Sequence, residues 1–477
     1  MKSRFRIKFF SKIWILVFLG AGLLVVMWCL DWSDDSPYFE SDYYESTMTN
    51  LAQLTNSIPV GNTSLKAGVS KVSITPNIEG DRVDIEQGIF PNNPLAGFGD
   101  RKGAPAEGIL DTLFVKAIWL QSGDLEGAII SMDMLIPPEK MVDSFRAEVE
   151  TRIGLAPENC FFSSTHTHSG PGGWLDGWIG EAFAGPHEPG INDWLKERVF
   201  ECLEKARTSL QPVKIAYQEG NLPSLVRNRL VGEKGIEDAR LQSVFFQPKN
   251  GPVISLAVFA AHPTLMGADS LKYCGDYPGY WQSSVEEATG GFAMFLAGGM
   301  GSHSPEGDYR NLSGVKAMSE QIKEMTMQHL KEAEFLDVTR FAVSELTVDL
   351  PQPHLRASDH TRFRPWLAGK LLPLDTQTRI HAMQLGKVLL LGTPCDFSGE
   401  LSIQIADHFN RYGHHAVVTS FNGDYIGYVV PQKYYHYRHY ETRVMSFFGP
   451  NNGPYLTDMI QRLGHAVLRA SKPNLQE

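Results

Sequence analysis

Hydrophobic positions in this chain fall into short apolar runs separated by longer amphipathic stretches. Runs at 113–121, 127–135, 253–261, 292–296, 387–391 and 416–421 are bounded by Gly, Pro and polar residues, which predicts buried strands. Residues 340–350 alternate apolar and polar and read as a half-exposed strand. Residues 66–76, with Val69, Val72 and Ile74, suit a first strand. Helical spacing appears at 139–154 (Met141, Phe145, Val149, Ile153), 192–210 (Leu195, Val199, Leu203, Ala206), 314–334 (Val315, Met318, Ile322, Met325) and 455–468. Strands and helices alternate, so the expected fold is α/β: mixed β-sheets with flanking helices in one large catalytic domain over residues 66–477. The Gly- and Pro-rich stretch 91–108 is expected as a loop.

The start of the chain follows another pattern. Residues 13–30 carry no charge, a run of 18 residues, near the minimum for a bilayer-spanning helix. Lys2, Arg4, Arg6, Lys8 and Lys12 precede it; Asp31, Asp34, Asp35 and Glu40 follow it. Trp14 and Trp28 lie near its ends, where aromatic belts form. No small-x-small cleavage site follows. The expectation is a cytoplasmic basic segment at 1–12 and an uncleaved transmembrane signal anchor at 13–30. An acidic linker at 31–65 then leads to a domain on the periplasmic or extracellular side.

Composition narrows the class. With 477 residues, 43% hydrophobic and 20% charged, the chain is globular. A net charge of −11, with no basic stripe beyond the first dozen residues, excludes nucleic acid as an expected partner. Outside the anchor the cysteines are Cys160, Cys202, Cys274 and Cys395. Their spacing dictates no pairing, and each reads as a small buried residue.

Candidate chemistry sits where predicted strands end. After the apolar Cys160, Phe161 and Phe162 come His166 and His168, two residues apart. On an extended segment they share one side, so one can hold a metal while the other faces substrate. Other strand ends lead into His262-Pro263-Thr264, into Ser302-His303-Ser304-Pro305, into Thr393-Pro394-Cys395-Asp396, and into Asn422-Gly423-Asp424-Tyr425-Ile426-Gly427-Tyr428. One sheet rim gathers such ends. Catalytic zinc takes three or four N and O ligands and keeps a position for water. His166, His262 and a carboxylate supply three. Each residue also has a plain reading: His262 as a strand cap, Ser304 as a helix N-cap, Asp396 on loop amides, Tyr428 and Tyr440 as core aromatics. His303, His414, His415, His436 and His439 read as ordinary histidines.

Taken in order, Ser164-Thr165-His166-Thr167-His168-Ser169-Gly170-Pro171, Asn228-Arg229, His262-Pro263-Thr264, Ser304-Pro305, Gly427-Tyr428-Val429, His439-Tyr440-Glu441 and Phe448-Gly449-Pro450 resemble the neutral/alkaline ceramidase family. The likeness starts near Lys66, and Gly108-Ile109-Leu110-Asp111 belongs to it. It implies a zinc-dependent amidase that releases a fatty acid from ceramide. His166, His262, Tyr428 and Asp396 then match the zinc ligands, and His168 the proton-transferring histidine. Arg229 and Tyr440 match the groups that hold the carbonyl oxygen, and Ser304 the essential serine. Three departures stand out. Asp396 replaces a glutamate, which leaves Glu400 as a fallback ligand. Gly301-Ser302-His303 replaces Gly-Asp-Val. The C-terminal immunoglobulin-like domain is not expected here. The implied substrate is ceramide or a related N-acyl lipid, reached from the membrane. The alternatives are a zinc hydrolase of a soluble amide or ester, and a non-catalytic binding module on the same fold.

Overall fold

The computed structural model describes residues 2–470 apart from 81, 308, 309 and 373; for 2–13, 15, 16 and 179 it describes the backbone alone. Two sheets dominate. The larger runs in the order Phe292–Ala297, Ile254–Phe259, Arg240–Pro248, Gln211–Asn221, Lys66–Ser73, Phe114–Ser122, Leu125–Met132, Cys160–Ser164. The smaller runs Val60–Gly61, Phe341–Asp349, Gln377–Leu385, Val388–Gly392, His415–Thr419. Neighbours are antiparallel except 254–259 with 292–297, 125–132 with 160–164, and 388–392 with 415–419.

The two sheets pack face to face. Ile118, Ile129 and Phe161 of the larger meet Phe341, Val343, Met383, Leu390 and Val417 of the smaller in one apolar cluster. Helices cover the outer faces: Glu139–Ile153 and Ile191–Thr208 on one half of the larger sheet, Asp276–Thr289 and Leu312–Glu332 on the other, and Gly399–Asn410 with Asn452–Arg469 on the smaller. Each helix buries the apolar stripe its sequence carries, and the strands between two layers are apolar almost throughout. The larger sheet also curls until its edges meet. Ser131 Oγ donates to the Phe295 carbonyl at 2.7 Å, and buried Lys116 Nζ donates to Ala293 O at 2.8 Å. That curl brings the segment after Cys160–Ser164 beside the segment after Ile254–Phe259, although the two strands are far apart in sheet order.

Two expectations about the amino terminus change. Lys2–Cys29 is one helix, but among the described residues no helix is long and apolar enough to cross a membrane. The side chains of residues 1–13, 15 and 16, which include the basic segment and the start of the expected span, lie outside the described residues. The expected run also does not end as helix. Leu30–Trp32 is a strand paired with Thr361–Phe363, and Trp28 packs on Trp366 with ring centroids 4.4 Å apart. Single-pass topology therefore rests on the sequence pattern alone. Residues 31–65, expected as a linker, are built into the domain. Asp42–Thr55 is a helix capped by Ser41, with Thr47 and Leu51 buried; Thr47 Oγ1 lies 2.8 Å from Tyr455 Oη. Its acidic residues face solvent, which is what the sequence displays as linker character.

Candidate metal centre

Strand ends deliver the site, as the sequence implies, but the local backbone differs from the expected extended segment. The strand stops at Ser164, and His166 is left-handed at φ 62°. Phe421, φ 64°, is left-handed too, and its ring stacks on that of His166 at 4.1 Å. Such conformations cost non-glycine residues on the order of 1–3 kcal/mol and persist where surroundings over-determine them. Here they turn one imidazole inward against another.

His166 Nδ1 lies 2.6 Å from Leu135 O, and His262 Nδ1 lies 3.2 Å from Met300 O. A carbonyl oxygen only accepts, so in each neutral ring Nδ1 holds the proton and Nε2 keeps a lone pair. The two Nε2 atoms face each other at 2.9 Å. His168 is fixed the same way, Nδ1 to Gly97 O at 3.0 Å, and its buried Nε2 has no hydrogen-bond partner. Asp396 adds Oδ1, 3.5 Å from His166 Nε2 and 3.9 Å from His262 Nε2, also without a hydrogen-bond partner. Its other oxygen, Oδ2, accepts from Tyr425 at 2.8 Å. Asp396 stands level with Tyr428, because the two short strands Asp396–Phe397 and Tyr428–Val429 pair in parallel. Three nitrogen lone pairs and one carboxyl oxygen thus converge, and none of the three imidazoles holds a proton there. Unscreened lone pairs repel in a dry site, so this donor set fits a cation; the three histidine donors lie within 4.8 Å of one another. N and O donors suit zinc.

Burial governs the charges. It lowers the His166 pKa to about 3 and takes His168 and His262 well below the ordinary 6.5. Burial pushes the Asp396 carboxyl up to about 7, against the Tyr425 hydroxyl and Arg229. Tyr428, whose pKa burial raises well above 10, stays a neutral phenol, so between pH 5 and 8 only Asp396 then exchanges a proton for a metal ion. Zinc affinity of the purified protein is expected to rise about tenfold per pH unit up to pH 7 and to level off above it. Competition with a chromophoric chelator measures this. A rise of about a hundredfold per unit, centred near 6.5, would mean that the histidines titrate and the tautomer assignment is wrong.

The remaining candidates surround this cage. Arg229 Nη2 donates to Tyr428 Oη at 3.1 Å, and its Nε lies 2.8 Å from Glu441 Oε1. Tyr440 is 55% exposed and starts the π-helical turn Tyr440–Val444; its ring stands edge-on to Tyr428 at 5.9 Å. Ser304 is not in a free turn. It lies in the short strand His303–Pro305, opposite Arg227 in Val226–Asn228. Glu400 lies elsewhere: its Oε1 accepts from Ile236 N and Tyr434 Oη, and its Oε2 pairs with Lys433 at 2.8 Å. His303, read as ordinary, is buried and lies 2.9 Å from Ser302 Oγ, which bridges to Ser398. The four expected buried cysteines are buried and free. Sequence reasoning gave no role to Glu441, Tyr425 or Phe421. The first two sit inside quoted motifs, and their spacing from Tyr440 and Tyr428 was the available signal.

The geometry gathers, at the strand ends of a two-sheet α/β fold, a buried cluster of donors that could hold a metal ion. The chain is 27% identical over 172 residues to the neutral ceramidase of Pseudomonas aeruginosa, covering 33% of this chain and 26% of that protein. It is 27% identical over 228 residues to neutral ceramidase B of Dictyostelium discoideum, covering 43% and 30%. These matches span less than a third of each relative's length. No protein-family model matches the chain. The crystal structure of the neutral ceramidase from Pseudomonas aeruginosa superposes with a TM-score of 0.70 at 18% identity, over 85% of this chain and 75% of that one. A structure of a ceramidase complexed with C2 gives 0.71 at 18% identity, over 86% and 76%. The chain is thus similar to the neutral ceramidases in sequence over part of its length and in fold over most of it.

Proposed function

We propose that the chain is a zinc-dependent amidohydrolase of the ceramidase type, cleaving the amide bond of ceramide or a related N-acyl lipid into fatty acid and amine. The observation that carries this reading is the convergence of unprotonated His166 Nε2, His262 Nε2 and Asp396 Oδ1 beside a cationic Arg229. His166, His262, Asp396 and Tyr428 would hold the zinc. Zinc in such a cage supplies a nucleophilic water at neutral pH and a Lewis acid for the amide oxygen.

The protein's own groups do the rest. Arg229 is held by Glu441 on one side and Tyr428 on the other, so its remaining N–H groups need no reorganisation before they meet an oxyanion. Tyr440 offers a second donor from the exposed side. One such donor is typically worth about 3–4 kcal/mol of barrier. His168 presents an unprotonated Nε2 toward the site. It takes the proton of the attacking water and passes it to the leaving nitrogen as the C–N bond breaks. The low basicity that burial imposes on His168 favours the second half of that transfer. Ser304 positions the amine half of the substrate. Water is the nucleophile.

Zinc analysis together with fatty-acid release from a panel of N-acyl lipids tests the reading. No release from any of them by zinc-loaded protein would overturn it. Ser304→Ala is expected to lose most activity and keep its zinc, with no burst on an activated substrate. An acyl ester trapped on Ser304 by mass spectrometry would instead make the serine the nucleophile.

A further inference from the structure

Ser304 has a neighbour that the proposed chemistry does not use. Arg227 lies directly opposite it across the two-stranded ladder, and Arg227 Nε donates to Ser304 Oγ at 3.2 Å. Arg227 lies in the strand Val226–Asn228 and Arg229 one residue past its end; both are half-buried, while Val226, Asn228 and Leu230 are buried. Asn228 points the other way and caps Leu230 N and Val231 N. Glu441 pairs with Arg229, whereas among the described residues no carboxylate lies within ion-pair distance of Arg227. The chain as a whole carries a net charge of −11, so a cation at this point is a local feature and not part of a basic surface.

The donor count gives this corner its character. Arg227 occupies a lone pair of Ser304 Oγ, which leaves the hydroxyl proton to be donated outward. The two Nη groups of Arg227 are donors only. Ser304 and Arg227 therefore present donors and no strong acceptor. A hydroxyl head group needs both a donor and an acceptor; an acceptor-only anion matches such a corner better and also gains charge. The proposed chemistry already gives Ser304 the amine half of the substrate, so an anion at this corner would belong to that half.

The geometry points to an N-acyl substrate whose amine half carries an anionic group, a carboxylate or a phosphate, read by Arg227 together with Ser304. This rests on the amidohydrolase reading and narrows its substrate class.

Three substrates of one acyl chain, presented in the same mixed micelles, test it: neutral ceramide, N-acylserine and ceramide 1-phosphate. Zinc-loaded wild-type protein is expected to show a kcat/KM about 10- to 100-fold higher for at least one of the two anionic substrates than for ceramide, the range of a charged hydrogen bond. Which anion wins separates carboxylate from phosphate recognition. Arg227→Met should erase that preference, lowering kcat/KM for the favoured anionic substrate about 10- to 100-fold more than for ceramide, while Arg227→Lys should restore much of it. The preference should shrink as salt rises. Zinc content and melting temperature of each variant separate recognition from misfolding. Equal or better turnover of ceramide by the wild type would sink this inference alone, as would an Arg227→Met variant that slows all three substrates equally. If the wild type turns over none of the three, the amidohydrolase reading falls and takes this one with it.

Discussion

Replacing either opposed imidazole, by His166→Ala or His262→Ala, is expected to abolish tight zinc binding and reduce amide hydrolysis to background. Zinc sites of about four ligands bind with roughly 10–16 kcal/mol in total, so one ligand is worth about 2.5–4 kcal/mol, or two to three decades of affinity. The loss here should reach the upper end. Both Nε2 atoms are aimed by backbone carbonyls, and among the described residues no histidine donor besides His168 belongs to the cluster that could take the vacated place. Metal stoichiometry after dialysis, with the metal-induced shift in melting temperature, measures the effect. Both variants keeping one tightly bound zinc would remove these residues from the site.

The second large effect concerns the carboxylate. Asp396→Asn is expected to lower zinc affinity by about two decades, because a neutral amide oxygen is a poor partner for a dication. Glu400→Gln should leave zinc untouched, since Glu400 spends its oxygens on Ile236, Tyr434 and Lys433. Metal-free protein supplies an independent readout. The folded-state pKa of Asp396 is raised from 3.8 to about 7 by burial. Its contribution to stability is thus fully present below pH 3.8 and is lost as pH rises through about 7, by an amount on the order of a few kcal/mol. Metal-free Asp396→Asn should therefore melt above metal-free wild type at pH 8, with a gap less than half as large at pH 5. The reverse ranking of the two substitutions in zinc binding would move the ligand to Glu400.

Much of the fold could be read from the chain because its strands are dry. Phe292–Ala297 and Val388–Gly392 are buried at every position, and such runs announce themselves. What escaped was polar or broken. Asp276–Thr289 contains Pro278 and Gly279 in its first turn, and no helix was expected there. Asp42–Thr55 buries only two residues and reads as tether. Gln377–Leu385 mixes Arg379, His381 and Gln384 into a strand whose inward face is nearly all buried. At the site, motif order located the histidines, Asp396 and Tyr428. Spacing could not show that His166 turns left-handed or that Phe421 stacks on it, since both follow from tertiary packing. The ladder that faces Ser304 with Arg227 was hidden for another reason. Its strands, Val226–Asn228 and His303–Pro305, are three residues each, too short for any periodicity.

The meeting of the sheet's two edges also sets an order of events during folding. Ser131 and Phe295 are 164 residues apart in the chain, and their contact closes the curl that sets His166 beside His262. Contacts of such long range form late, because loop-closure entropy opposes them until the rest of the sheet exists. A nascent chain that ends before Asp396 and Tyr428 lacks two of the proposed ligands even if its first sheet has closed. On the proposed reading, metal would therefore enter a finished fold, and whichever compartment completes the second sheet would also have to supply the ion.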